Sequence, residues 1–122
     1  MSDNYEVTQR SLHLAATMQD GIEHIRERFA EGRFEEMLPL LQDVTQAFIS
    51  IQQALLGRAE GMTSRCFTGY AERIYSGLSE LILAYELADW NQAVRSLENG
   101  VVPGFTLWKE ELERCYRHHM VS

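Results

Sequence analysis

The chain has 122 residues, 45% hydrophobic and 24% charged, with a formal net charge of −7, which fits one domain able to bury a core without metal or disulfide staples and excludes a disordered composition. Eleven basic residues are scattered among eighteen acids, which argues against a phosphate-tracking nucleic-acid surface and leaves room for a local basic patch at most. No apolar run nears the roughly 18 residues that a membrane span requires.

Apolar spacing predicts a first helix over residues 4–30, opened by Asp3 and Glu6 as an Asp-x-x-Glu capping box. Its stripe is Ser11, Ala15, Met18, Ile22, Ile25 and Phe29, in steps of three and four that keep one face. Gly32 stops it, free to adopt the left-handed C′ conformation. A second helix resumes near Phe34 and carries Leu38, Leu41, Val44 or Thr45, Phe48, Ile51 and Leu55. Pro39 is harmless within its first turn, where amides have no intrahelical partner, and bends the axis if deeper. Residues 57–64 lack periodicity and form the connection between two hairpins.

The third helix starts at Thr63 or Ser64 and reaches Leu87 through Phe67, Tyr70, Ile74, Leu78, Leu81 and Tyr85. Asp89-x-x-Gln92 caps the fourth, whose stripe is Trp90, Val94, Leu97, Val101, Phe105, Trp108, Leu112 and Cys115. Its interior holds Gly100, Pro103 and Gly104. The proline removes a ladder hydrogen bond at a cost of about 3 kcal/mol. The stripe stays in phase across it, which predicts one helix kinked at Pro103 rather than two joined by a loop. No strand pattern competes. Short turns make neighbouring helices antiparallel, so the predicted fold is all-α: a single domain, residues 1–122, forming an antiparallel up-down-up-down four-helix bundle of two α-hairpins, crossing near +20°.

A constant offset of 56 positions relates the hairpins, from Ala15 and Ala71 through Phe34 and Trp90 to Leu41 and Leu97. Most matches are stripe residues, which any two hairpins share, so duplication stays open. Gly21 and Gly77 go beyond that. They are expected at corresponding places where the first and third helices approach a neighbour closely.

The candidate chemistry is sparse. No Glu-x-x-His pair of the di-iron bundles occurs. In the expected topology His13, Cys66, Cys115, His118 and His119 gather toward one end, with ligand types that suit zinc but no Cys-x-x-Cys signature. Cys66 adjoins Arg65 but has no histidine placed locally as a base, so a structural thiol is the better reading. No cofactor is expected, and no enzyme activity. Two cysteines imply no disulfide framework, and Met1-Ser2-Asp3-Asn4 lacks the features of a signal peptide, giving a cytoplasmic expectation. Interior glycines weaken a helix by roughly 1 kcal/mol each. They serve either close packing or a groove for a partner helix, with Gly100, Pro103, Gly104 and Trp108 as the candidate partner-binding residues.

Residues 97–108, Leu-Glu-Asn-Gly-Val-Val-Pro-Gly-Phe-Thr-Leu-Trp, following Asp89-Trp90, resemble a family of short uncharacterised bacterial all-helical proteins. The resemblance implies the all-α fold and brings no activity with it. The functional expectation is a non-enzymatic cytoplasmic protein that binds another protein or itself, as adaptor, small chaperone-like factor or self-associating bundle. The alternative is a bundle holding a metal or small ligand.

Overall fold

A computed structural model describes the backbone of residues 2–56 and 65–121, and the side chains of residue 6, residues 9–54 and residues 68–114. The described residues are all-helical and contain no strand. In chain order they are α1 (Ser2–Ala30), a 3-10 turn (Phe34–Glu36), α2 (Met37–Leu56), α3 (Arg65–Glu86), α4 (Trp90–Ser96), a π turn (Leu97–Val101) and α5 (Val102–Val121). The last three are continuous and form the fourth helical stretch. Asp3 lies inside α1 rather than at its cap, and the expected connection at 57–64 lies outside the described residues.

The turns after α1 and α3 close by the same hydrogen bonds. Arg33 N donates to Arg28 O at 2.7 Å and Gly32 N to Phe29 O at 3.1 Å; 56 positions on, Asp89 N donates to Ala84 O at 2.9 Å and Ala88 N to Tyr85 O at 3.1 Å. This is Schellman closure, with C′ in the left-handed region: Gly32 has φ +73° and Ala88 φ +53°. Glycine adopts that conformation freely, whereas a Cβ there costs about 1–2 kcal/mol. The second turn is reinforced by Asp89, whose Oδ1 accepts from Gln92 N at 3.2 Å. Gln92 does not reciprocate; its side chain donates to Ser96 Oγ at 3.1 Å. At the first turn Arg33 is held between Glu36 and Glu31. The hydrogen bonds from Arg33 hold the Glu36 carboxyl below its ordinary value.

Burial follows the stripes with one systematic departure. Leu38 is half-buried and Val94 exposed, while Met37 and Ala93, one position earlier, are fully enclosed. From there the fourth stretch buries residues 93, 97, 101, 105, 108 and 112. Three successive four-residue steps would rotate a regular α-helix face by about 120°. The π turn takes up the extra residue, with Val102 N reaching Leu97 O five positions back. Rotational phase is therefore kept by the π turn, which precedes Pro103 in the first turn of α5.

Glycines set the closest approaches. A Cβ added to Gly77 of α3 would lie 2.9 Å from Val101 N and 3.2 Å from the carbonyl carbon of Gly100, and one added to Gly100 would lie 3.4 Å from Gly77 Cα. On Gly21 of α1 it would lie 2.6 Å from Val44 Cγ2 of α2. Both glycines thus occupy the corresponding places that the offset gave them. α1 packs on α2 and α5, and α3 on α4, the π turn and α5. The core runs through the middle, where Phe48 of α2 meets Trp108 of α5 edge-on at 5.7 Å.

Two substitution sets test this packing. Ala88→Gly is expected to raise stability by about 0.5–1 kcal/mol in urea denaturation, relief of the left-handed Cβ outweighing the gain in unfolded-chain entropy; a loss would contradict the strain. Gly77→Ala is expected to cost about 3 kcal/mol because backbone must move, Gly21→Ala about 1 kcal/mol because a methyl must yield, and Gly69→Ala, with nothing within 4 Å, to gain up to about 1 kcal/mol. Equal effects at the three positions would refute the close-approach account.

Candidate functional site

Of the four residues nominated on the fourth stretch, Gly100, Gly104 and Trp108 pack against the chain's own elements, and Pro103 is half-buried. Trp108 is fully enclosed. Gly100 lies on Gly77, and a Cβ on Gly104 would lie 3.3 Å from Arg73 Cγ and Ile74 Cγ1. Pro103 has no amide to offer the carbonyl of Asn99, its helical partner four residues back. Arg73 Nη2 of α3 donates to that oxygen at 3.3 Å. The cluster is a packing device: Gly100 admits α3, Pro103 leaves the Asn99 carbonyl open, and Gly104 makes room for the Arg73 stem that reaches it.

The histidine and cysteine cluster is described only at His13, which is exposed; the side chains of Cys66, Cys115, His118 and His119 lie outside the described residues. Among the described residues no three His, Cys, Asp or Glu side chains gather as metal ligands, and no helix is long and apolar enough to cross a membrane.

Open surface lies elsewhere, between α2 and α3, whose backbones approach each other less than those of α1 and α2 do. Near the hairpin turns a cavity of about 530 Å³ is lined by Leu38, Leu41 and Gln42 with Ile82 and Glu86. Toward the other end a second, of about 290 Å³, is lined by Phe48, Ile49 and Gln53 with Glu72 and Tyr75. Together they follow α2 from residue 38 to 53, about 22 Å along a helix axis. Ile49 is 38% and Tyr75 64% exposed, and both border the second cavity, so their apolar surface is contiguous with its lining. Two covered polar atoms on this side of α2, Thr45 Oγ1 and Gln52 Oε1, have no hydrogen-bond partner among the described residues.

The 56-residue offset relates this seam to the one between α1 and the fourth stretch. There Arg26 Nε and Nη2 donate to the two Glu98 carboxylate oxygens at 2.8 and 3.1 Å, and Lys109 Nζ donates to Gln19 Oε1 at 2.7 Å. Hydrogen bonding to Glu98 raises the Arg26 guanidinium above its ordinary value. Advanced or set back by 56, Arg26 and Glu98 become Ile82 and Gln42, and Gln19 and Lys109 become Tyr75 and Gln53. All four counterparts line the α2–α3 cleft. One seam is clamped, and its counterpart carries apolar or uncharged side chains where the clamps would be. At the turn end the offset pair Phe34 and Trp90 stack on each other, centroids 5.0 Å apart and planes 5° from parallel, with Phe29 and Tyr85 flanking them.

Reading each stripe separately hides the cleft, because its lining residues sit at the stripe margins. A signal was present in the offset: the ionic residues Arg26, Glu98 and Lys109 of α1 and the fourth stretch correspond to the apolar Ile82 of α3 and the amides Gln42 and Gln53 of α2. Neither a curated protein nor a solved structure matches the chain. The profile of one family covers residues 6–111, and the chain belongs to that family, described as a domain of unknown function, DUF8042.

Proposed function

We propose that this is a non-enzymatic protein of the bacterial cytoplasm that binds another protein by taking a helix into the cleft between α2 and α3. The carrying observation is the unclamped seam: an apolar floor about four helical turns long, with exposed Ile49 and Tyr75 at its edge. The architecture that goes with this reading is an antiparallel up-down-up-down arrangement of two hairpins, the fourth stretch bent where the π turn meets Pro103. Residue pairing supports it: Gln19 meets Lys109 while Arg26 meets Glu98, so rising numbers in α1 meet falling numbers opposite.

Photo-crosslinking in the native cell tests the location. A benzophenone amino acid at Tyr75 is expected to form a covalent adduct with a second protein, and the same group at Thr106 on the clamped seam is not. Transplanting the clamp, Ile82→Arg with Gln42→Glu, is expected to keep the helical circular dichroism and abolish the adduct. Adducts of equal yield from both seams, or none at Tyr75, would overturn the proposal.

A further inference from the structure

We infer, resting on the reading of the α2–α3 cleft as a helix-binding site, that its occupant is a cationic amphipathic helix held at both ends by Glu72 and Glu86. These carboxylates line opposite ends of the cleft, Glu86 in the cavity near the turns and Glu72 in the other. They stand 14 positions apart on α3, close to four whole turns and about 21 Å, so they share a face. Neither is ion-paired among the described residues, whereas Glu23 and Glu98 on the clamped seam both meet Arg26. Among the described residues no lysine or arginine lines either cavity. Gln52 Oε1, on the cavity that Glu72 lines, has no donor among the described residues.

Charge also selects among occupants. A second copy brings a net charge of −7 and the same two acids, so like charges meet across the interface. A helix with arginine or lysine at positions 14 apart, flanking an apolar stripe, presents donors to both carboxylates while its stripe covers Leu41, Ile82 and Tyr75. The apolar floor supplies contact area, and the acids fix register and select the sign of the partner.

Calorimetric titration of the full chain with two synthetic helices of about 18 residues tests this. Both carry leucines at helical spacing; one has arginines 14 positions apart beside the stripe and the other has glutamates there. The arginine helix is expected to bind, the glutamate helix at least about tenfold more weakly, and Glu72→Gln with Glu86→Gln to remove most of that preference, as does raised salt. Equal binding of the two helices overturns the charge inference and leaves the cleft reading standing. Binding of neither overturns the cleft reading itself. A dimer in sedimentation that Tyr75→Glu dissolves overturns the inference in favour of a second copy.

Discussion

The approach of Gly77 to the Gly100–Val101 backbone determines how the second half of the molecule is built. It requires an absent side chain on α3 and a fourth stretch whose backbone bulges toward it. The π turn supplies the bulge and, by consuming one residue, returns Val101, Phe105 and Trp108 to the core. Pro103 and Gly104 then follow, one leaving a carbonyl for Arg73 and the other admitting the stem that brings Arg73 there. Gly100, Pro103 and Gly104, three helix-weakening residues in one segment, thus have geometric reasons that lie within the chain.

The first half solves the same problem more simply. Gly21 receives the side chain of Val44 and α2 stays regular. The two hairpins therefore share turns and close approaches while differing in their outer seams. Arg26 with Glu98 and Gln19 with Lys109 close one seam. Exposed ion pairs of this kind contribute little stability singly, so their weight is in orientation: they fix which side of the fold is shut. The other side keeps an apolar lining and the carboxylates of Glu72 and Glu86, which have no ion pair among the described residues, and it is there that we propose an incoming helix.

Much of the fold was legible from spacing alone. Stripes in steps of three and four located every helix, Gly32 marked one turn, and Asp89 capped the next helix. The second left-handed residue was not legible, because alanine gives no sign of a positive φ. Nor was the π turn, although the four-residue steps from Ala93 to Phe105 record it; reading Val94 in place of Ala93 hid the drift. Gly100, Pro103 and Gly104 stood out because they break helical rules, and the contacts that explain them lie within the chain. The cleft breaks no local rule. It becomes visible only when corresponding positions of the two hairpins are set side by side.

Amide chemical-shift mapping with the arginine-bearing helix addresses the asymmetry of the two seams directly. Shift changes are expected along residues 38–53 and 68–86, with Gln19, Arg26, Glu98 and Lys109 unmoved. Changes centred on that clamped seam, or on the stacked Phe34 and Trp90, would contradict the assignment of the open seam as the partner's place.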